Sequence, residues 1–422
     1  LTVTRPNQKE IEKLALQRGL HLSEYKWEMG DTPWKNWDFS KARNFNFKQI
    51  PKGYDWILWC DSDDIWIGAE KIRDVAEKAL KADKDAVFFP YWYSCKFTGD
   101  PSFENLESIE LEHLRERLLR PGKTEWQGRL HETFVRLAGI ELKHTGAFYE
   151  ENGIAVMHGI TNKEDMERFN RNQVILELQL EEEGKDPDPR TLLYLMKIYG
   201  EMDDPEHLNK VIEYGQLYLE KSGWAEERQV ACELIGNAYG KMGDNKKAGQ
   251  WYLKSIGEWP HQPMVYLQLS RSFYNQKRYS DARYWLEAGM NMKMSHHSTM
   301  MTNYSAMKTL ASELLLKLSW NVDKDVKKAL EAAKLLNSVN PNEQHSGNVD
   351  YLTDLNMLND ACGHLDHLIQ YMEAIGENTK VVALLNLLPA AFTSQPFAIK
   401  ARQRNTEPKK WGKKEICYFA NF

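Results

Sequence analysis

Two segments in the second half of the chain carry the same kinds of residue in the same order, 34 positions apart. The first segment has small, aromatic or turn-forming residues at Gly236, Tyr239, Ala248, Tyr252, Ser255 and Pro260. The second has matching types at Ser270, Phe273, Ala282, Leu286 and Gly289. Small residues recur where paired helices would touch, and larger ones recur where they would fill the gap between helices. A chain with this period buries its apolar faces by stacking helical hairpins.

This spacing is similar to that of tetratricopeptide repeats. An irregular earlier unit is predicted over Thr191–Lys221, and a later unit includes Ala329, Ala333 and Pro341. Stacked units of this kind form a concave surface. Two interpretations follow: the surface binds a protein partner, or the helical array only supports the rest of the chain.

The first part of the chain has a different pattern. Eight of the fourteen tryptophans lie before residue 127. Apolar runs at Trp56–Cys60 and Ala86–Tyr93 predict strands, and helical spacing of apolar residues over Ala69–Ala82 predicts a helix between them. Another helix is predicted over Lys9–Arg18. The order strand, helix, strand predicts a parallel α/β unit.

The chain of 422 residues has room for two to four domains. We expect an α/β domain over residues 1–160, a helical repeat region over 161–395 with a hinge at Gly184–Pro189, and a last segment over 396–422. The last segment is a basic linker followed by a predicted strand over Ile416–Phe422. A terminal strand has to pair, so it either returns to an existing sheet or begins a further domain.

Charge and composition exclude several classes of protein. The 55 basic and 61 acidic residues give a net charge of −6, which argues against a general surface for duplex nucleic acid. No apolar run reaches the roughly 18 residues that a membrane span needs. The five cysteines are far apart and form no CxxC motif, so they predict reduced thiols and no zinc site. Without a recognisable secretory signal, we expect a cytoplasmic location.

The clearest chemical motif is an apolar run that leads directly into three carboxylates. Residues 56–64 read WILWCDSDD and contain Asp61, Asp63 and Asp64. At the carboxyl end of a parallel strand, such side chains face the ligand crevice. Carboxylate oxygens suit Mg²⁺ or Mn²⁺, and either ion can hold a diphosphate. The alternative is a solvated acidic turn after the strand.

Further motifs lie on both sides of the carboxylates. Residues 37–44 read WDFSKARN, residues 126–132 read WQGRLHE, and residues 155–159 read AVMHG. Three arginines, Arg115, Arg117 and Arg120, precede the second of these motifs. In this order the set resembles the family-two glycosyltransferases with a GT-A fold. It is most similar to the subgroup with a following tetratricopeptide-like region, such as the sublancin-type peptide S-glycosyltransferases. The resemblance covers roughly residues 1–220.

The resemblance implies a hexosyltransferase that uses Mn²⁺ or Mg²⁺ and a nucleotide-sugar, with a UDP-sugar as the first choice. The acceptor would be a protein, a peptide or a glycan, and the transfer would proceed with inversion. The residues implied for nucleotide-sugar binding are Asp38, Arg43, Asp61, Arg117 and Arg120. Those implied for the metal are Asp61, Asp63 and His158, with Asp64 in an assisting role.

Each of these assignments has a structural alternative. Arg43 would otherwise anchor a helix through a salt bridge, and His158 would end a strand. At least one of the three arginines would otherwise belong to a solvated helix face.

Glu132 and His131 are the candidates for activating the acceptor. An inverting transfer needs a base that takes the acceptor's proton, and a carboxylate or an imidazole can serve. We favour Glu132 over His131. The alternative is that both residues have a structural role around the Gly128 turn.

The sequence departs from the family pattern at its start. It opens at what resembles the family's second strand, so the first strand is expected to be missing, and Thr4 stands where a base-contacting Asp is expected. A second hypothesis is therefore a catalytically decayed module whose repeat array binds a protein partner. A third is a nucleotidyltransferase, since bound metal ions serve that chemistry too, although no glycine-rich phosphate loop is present.

Overall fold

The structure is a computed structural model. It describes residues 2–3, 13, 16–19, 23–25, 34–61, 63–137, 139, 141–147, 149–159, 165–292 and 298–406. Most of the predicted helix over Lys9–Arg18, the candidate Thr4 and the predicted strand over Ile416–Phe422 lie outside these residues. The chain forms two compact units, one up to Ala311 and one from Ser312 onward.

The part of the chain up to His158, called the sheet region below, contains most of the described strands. They are β1 (Thr2–Val3), β2 (Ser23–Glu24), β3 (Ile57–Leu58), β4 (Asp64–Ile67), β5 (Ala86–Phe97), β6 (Leu106–Leu119), β7 (Thr124–Gln127), β8 (Thr133–Arg136), β9 (His144–Gly146) and β10 (Ala155–His158). Its helices are α1 (Phe39–Lys48), α2 (Ile72–Lys81) after a 3₁₀ turn at Ala69–Lys71, and the short α3 (Tyr149–Asn152).

Among the described residues, the main sheet has seven strands and mixed directions. One of its strands, β11 (Thr302–Asn303), comes from much later in the chain than the others. The strand order is β11-β6-β5-β10-β4, and in addition β3 pairs with β6 and β9 pairs with β5. Strand β5 is parallel to β9 and β10 but antiparallel to β6. Strands β3 and β5 do not pair with each other, because β6 lies between them; since β6 is antiparallel to both, β3 and β5 run in the same direction.

Helix α2 covers one face of this sheet. Its Val75 and Ala79 pack against Val87, Phe89 and Tyr91 of β5 in one apolar cluster. The alternation along β5 thus directs these residues to the helix, as the period of two requires.

Four register shifts interrupt the ladder between β5 and β6, and two of them concern the candidate site. Val87 is opposite Leu118 and Phe88 is opposite Glu116, so Arg117 has no partner across the ladder. Tyr93 is left out in the same way, because Trp92 faces Glu112 and Ser94 faces Leu111. A bulge redirects the side chain of its extra residue, and both extra residues lie in the candidate site described below.

The helices from residue 165 to residue 291 form the helical array of the first unit, which begins with α4 (Asp165–Glu183). Three antiparallel pairs follow, namely α5 (Pro189–Gly200) with α6 (Pro205–Lys221), α7 (Ala225–Lys241) with α8 (Asn245–Glu258), and α9 (Pro263–Asn275) with α10 (Tyr279–Asn291). The small residues of the repeat lie at the helix contacts: a Cβ atom on Gly236 would be 2.6 Å from the Tyr252 ring. Ala248 and Ala282 are buried. The predicted tetratricopeptide-like region is confirmed.

The helical array joins the sheet at both of its ends. Leu130, which follows β7, lies in one apolar cluster with Ile175 of α4 and Leu193 of α5. After α10 the chain returns to the sheet. There the Ser298 carbonyl accepts a hydrogen bond from the Leu114 amide, and β11 pairs with β6. The sheet and the three helix pairs therefore belong to one compact unit.

Helix α11 (Tyr304–Lys317) is followed by a π-helical turn at Leu318–Asp323. The remaining helices are α12 (Val326–Val339), α13 (Glu343–Ala374), α14 (Asn378–Leu387), α15 (Ala390–Thr393) and α16 (Pro396–Thr406). Ala329 and Ala333 of the predicted later repeat are buried against Leu352 of α13. Within the described ranges, no helix combines the length and apolar character needed to cross a membrane.

Candidate functional site

The three carboxylates of the acidic motif lie in the loop from β3 to the start of β4. The Asp64 amide donates to the carbonyl of Asp61 at 3.1 Å, and the Asp61 amide donates to Asp64 Oδ2 at 2.8 Å. These two hydrogen bonds close a tight turn. Within it, Asp61, Asp63 and Asp64 each contact different side chains, as described next.

Asp63, Asp64 and His158 form a group that can hold a metal ion. One donor atom from each lies within 4.8 Å of the others. The antiparallel pairing of β10 with β4 places His158 opposite Asp64, and His158 Nδ1 is 3.5 Å from Asp63 Oδ2. The sequence analysis grouped Asp63 and His158 with Asp61, whereas Asp64 takes the third position in the structure.

The close approach of β10 to the acidic loop depends on Gly159. Its amide donates to the Asp63 carbonyl at 2.7 Å, and a Cβ atom at this position would be 2.3 Å from the same oxygen. Only glycine fits this contact without a shift of the backbone that carries Asp63.

Asp61 faces two arginines instead of the metal group. Arg43 Nη2 donates to Asp61 Oδ1 at 3.0 Å, and Arg117 Nη1 is 3.7 Å from Asp61 Oδ2. Burial by itself would raise the pKa of Asp61, but the two guanidinium groups outweigh it and lower this pKa. Asp61 therefore joins the carboxylate group to the arginines.

Arg117 is fully buried at the centre of the site. Its guanidinium lies 4.0 Å from the Trp59 ring centre and 4.7 Å from that of Tyr91, and Nη2 is 2.8 Å from Asp64 Oδ2. The Nε and Nη1 atoms are buried and have no hydrogen-bond acceptor among the described residues. Since a buried donor without an acceptor is costly, these atoms suit a bound anion.

Two tyrosines of β5 complete the surroundings of His158. The Tyr91 hydroxyl donates to Asp64 Oδ1 at 2.9 Å and is 2.9 Å from His158 Nδ1. The Tyr93 ring stacks on the imidazole with a centroid distance of 4.7 Å. Burial and the nearby Asp64 raise the pKa of Tyr91, so its hydroxyl stays protonated. The sequence analysis missed both residues; tyrosines at alternate positions of an apolar strand were the available signal.

Glu132 is buried beside the arginines. Its Oε1 accepts a hydrogen bond from Arg43 Nε and is 3.9 Å from Arg115 Nη2. Arg43 of α1 thus contacts both Glu132 and Asp61, which connects the candidate base to the carboxylate group.

His131 projects away from this network and contacts the helical array. Its backbone has a φ of 53°, and its ring stacks on Tyr194 of α5 with a centroid distance of 4.0 Å. Loss of water from the stacked ring and the positive charge of Lys197 lower the pKa of His131 to about 3. The imidazole is therefore neutral at pH 7 and is a weak base.

Asp38 and Arg120 contact other parts of the fold. Asp38 is the N-cap of α1, where its carboxylate accepts from the Lys41 amide at 3.0 Å and from the Ser40 hydroxyl at 2.6 Å. Arg120 follows the end of β6, where its amide donates to the Asp85 carbonyl and its guanidinium lies 5.6 Å from the Trp56 ring centre. The alternative of a solvated helix face for the arginines is wrong, because Arg115 and Arg117 belong to strand β6.

Comparison with known proteins assigns no family. No protein-family model matches the sequence, and no curated protein matches it significantly. Among solved structures, PilF of Pseudomonas aeruginosa shares 16% identity over 42% of this chain and 78% of its own, with a TM-score of 0.31. The apo form of RapI shares 13% over 56% and 93%, with a TM-score of 0.32. The C-terminal part of a TPR repeat-containing protein from Cytophaga hutchinsonii shares 16% over 43% and 73%, with a TM-score of 0.25. These TM-scores are too low to assign a function.

Proposed function

We propose that the sheet region is a metal-dependent glycosyltransferase of the family-two, GT-A type. It takes a nucleotide-sugar, with a UDP-sugar as the first choice, and transfers the sugar with inversion to a protein, peptide or glycan. The observation that carries this proposal is the group of Asp63, Asp64 and His158 next to the buried, incompletely bonded guanidinium of Arg117. A cation site beside a buried cationic side chain suits a diphosphate that bridges the two.

The three candidate ligands fit Mn²⁺ or Mg²⁺ in their chemistry. Two carboxylates and one imidazole provide oxygen and nitrogen donors, and such mixed sets favour Mn²⁺ over Mg²⁺. When bound there, the ion would stabilise negative charge on the departing diphosphate. Asp63 and Asp64 would supply the carboxylate ligands, and His158 would supply the imidazole.

The arginines of this chain would bind and orient the diphosphate. Arg117 has two buried N–H donors for phosphate oxygens, and guanidinium groups can form paired hydrogen bonds with phosphate. Trp59 and Tyr91 hold the Arg117 guanidinium between their rings, which limits its movement. Arg115 would add positive charge at the same strand, two residues earlier.

Glu132 is the better candidate for the base that takes the acceptor's proton. Glu132 and Asp61 both contact Arg43, so an acceptor beside Glu132 would be near the donor sugar. His131 stacks on Tyr194 of α5, and its lowered pKa makes it the weaker base. We therefore assign His131 a positioning role on the acceptor side, next to Tyr194.

Calorimetric titration tests the proposal. UDP, GDP and dTDP are titrated into the full chain with and without Mn²⁺, and into Asp63→Ala. We expect one nucleotide to bind only with Mn²⁺ and the variant to lose at least about 100-fold in affinity, the upper end of what changes around metal ligands cost. Asp74→Ala, an exposed carboxylate on α2, is the matched control and should bind normally.

A melting experiment gives a second readout of the same binding. A ligand at about 100 times its dissociation constant stabilises the folded protein by about 2.7 kcal/mol. If no nucleotide shifted the melting temperature with Mn²⁺ present, the proposal would be wrong. The decayed module whose helical array binds a partner would then be the better hypothesis.

A further inference from the structure

Tyr91 contacts two of the three candidate metal ligands through a single hydroxyl group. Its oxygen lies 2.9 Å from Asp64 Oδ1 and 2.9 Å from His158 Nδ1. The register of the strands produces this position. On β10, Val156 lies opposite Tyr91 of β5. Two residues later on the same strand, His158 lies opposite Asp64 of β4.

The hydroxyl has one hydrogen atom, and this fixes the direction of both contacts. A carboxylate only accepts hydrogen bonds, so the hydroxyl hydrogen is donated to Asp64 Oδ1. The contact with His158 then needs a hydrogen on Nδ1, which donates to the hydroxyl oxygen. A hydrogen on Nδ1 also suits Asp63, whose Oδ2 lies 3.5 Å from the same nitrogen.

This hydrogen bond selects one tautomer of His158. A hydrogen on Nδ1 of the neutral imidazole leaves the lone pair on Nε2, and Nε2 is then the nitrogen that can bind an ion. A group that accepts the other N–H of a histidine ligand fixes the orientation of the ring and raises its basicity. The Tyr91 hydroxyl is such an acceptor for His158.

The same hydroxyl lies at the oxygen of Asp64 that still has a lone pair for an ion. Asp64 Oδ2 accepts from the Asp61 amide and from Arg117 Nη2, both at 2.8 Å, which uses its two lone pairs. Asp64 Oδ1 accepts from Tyr91, and its second lone pair is available. The hydroxyl therefore acts on the ligand-forming side of both Asp64 and His158.

The rest of the Tyr91 side chain holds the hydroxyl in place. The residue is only 5% exposed, and it packs in the apolar cluster that contains Val75 and Ala79 of α2. The guanidinium of Arg117 lies 4.7 Å from the centre of its ring. A phenylalanine at this position would keep the ring and these contacts, so the effect of the hydroxyl can be measured alone.

We infer that Tyr91 is a positioning residue for the candidate metal group, and that its hydroxyl presents Asp64 Oδ1 and His158 Nε2 to the ion. This inference rests on the metal-dependent function proposed for the sheet region. Tyr91 acts through the two ligands, by a hydrogen bond donated to one and accepted from the other. The carboxylate and the imidazole are thereby held in a fixed relation before an ion arrives.

Tyr91→Phe and Tyr93→Phe form a matched pair of variants. Both residues lie on β5 and contact His158, the first through its hydroxyl and the second through its stacked ring. Isothermal titration of the full chain with Mn²⁺ compares them. We expect Tyr91→Phe to lower the Mn²⁺ affinity about 10–100-fold, as other changes next to metal ligands do, and Tyr93→Phe to bind as the wild type does. Equal affinities of wild type and Tyr91→Phe would overturn the inference.

The variant His158→Gln shows whether Tyr91 acts through the ligands. In this background, the loss of Mn²⁺ affinity from Tyr91→Phe should be at least about threefold smaller, because one of the two groups that the hydroxyl positions is gone. A loss of the same size in both backgrounds would indicate a general structural effect and would also overturn the inference.

Nuclear magnetic resonance of the metal-free protein gives a readout that needs no ion. Long-range proton–nitrogen correlation spectra distinguish the two tautomers of an imidazole, and the spectrum of His158→Gln assigns the signal of His158. We expect the Nδ1–H tautomer in the wild type and in Tyr93→Phe, and a mixture of tautomers in Tyr91→Phe. An Nε2–H tautomer in the wild type would contradict the proposed role of the hydroxyl.

Titration of the wild type separates this inference from the proposed function. If the wild type and Tyr91→Phe bound Mn²⁺ and nucleotide equally well, the glycosyltransferase proposal would survive and only the positioning role would be wrong. If the wild type showed the Nδ1–H tautomer but bound no Mn²⁺, both would be wrong. The hydrogen bonds of Tyr91 would then serve only to join β5 to β4 and β10.

Discussion

The sheet region buries several charged side chains at one site, whereas the helices of the array meet mostly through small and apolar side chains, with Glu227 as a buried exception. At the site, Arg117 and the Asp64 side chain are almost completely enclosed and pair with each other at 2.8 Å. Between the helices, Gly236 lies against the ring of Tyr252 and Ala248 packs beside it. The two regions therefore respond differently to change, the first to the loss of a charge and the second to the addition of a methyl group.

The difference has a physical cause in the cost of desolvation. A buried ion pair contributes little net stability, but removing one partner leaves the other charge buried and unpaired. The contacts of the array depend on volume, since a close-packed interior has no space for an extra carbon atom. The sheet region thus retains costly charges, which agrees with a binding role, while the array is a scaffold sensitive to shape.

Arg117→Met should have the largest effect on stability. It leaves the buried Asp64 carboxylate without its cation, which costs about 3–5 kcal/mol. Urea unfolding followed by tryptophan fluorescence measures the loss, because the tryptophans are concentrated near the sheet. Arg120→Met is the control and should cost less than about 1 kcal/mol. Equal losses for the two variants would contradict the central role of Arg117.

Gly159→Ala should act on metal binding more than on folding. The added Cβ would displace the Asp63 backbone, whose oxygen lies 2.3 Å from that position. We expect the Mn²⁺ affinity to fall about 10–100-fold, as for other changes that misplace a ligand. Isothermal titration with Mn²⁺ measures it, and Gly223→Ala, which has open space around its Cβ, should bind as wild type does. An unchanged affinity in Gly159→Ala would remove Asp63 from the ligand set.

Gly236→Ala tests the packing of the array. The new methyl group would lie 2.6 Å from the Tyr252 ring, and overpacking of this kind costs about 1–3 kcal/mol. Gly257→Ala in α8 meets no atom within 4 Å and should instead stabilise the helix by about 0.5–1 kcal/mol. Urea unfolding followed by circular dichroism at 222 nm compares them, and a shift of the same sign in both would argue against tight contact at Gly236.

Asp38→Ala should have the smallest effect and decides between two roles. As an N-cap, Asp38 contributes about 1 kcal/mol to stability, and Asp38→Ser should restore most of that, because a serine hydroxyl also caps. A nucleotide ligand would behave otherwise, since Asp38→Ser would keep the stability but lose nucleotide affinity. Melting and calorimetry on both variants distinguish the roles.

Local periodicity was sufficient for much of the fold. The helix predicted over Ala69–Ala82 occurs as α2 with a preceding turn, and the strand predicted at Ala86–Tyr93 occurs as the longer β5. The repeat spacing placed the helix pairs because each pair is a local unit with a fixed contact pattern. Strand β6 was missed, since its Leu, Glu and Arg residues favour helices in isolation and only pairing with β5 and β3 makes it a strand.

The site was predicted in part, and the remainder depended on pairing over long distances in the chain. The motifs pointed to Asp61, Asp63, His158, Glu132 and the arginines, but they did not indicate which carboxylate would join His158. That choice comes from the register of β10 on β4, which sets His158 opposite Asp64. Whether the assembled group binds metal and nucleotide stays a prediction.

The amino-acid pattern was enough to specify the 34-residue helical repeat, the apolar strand before the carboxylates and the absence of a long apolar span, because each depends on near neighbours along the chain. Folding in three dimensions specified the rest. It brought Arg117 between Trp59 and Tyr91 through a bulge, returned β11 to the sheet, and set Tyr194 on His131. These contacts join residues far apart in the chain, and they form only where the packing of whole elements leaves a place for each side chain.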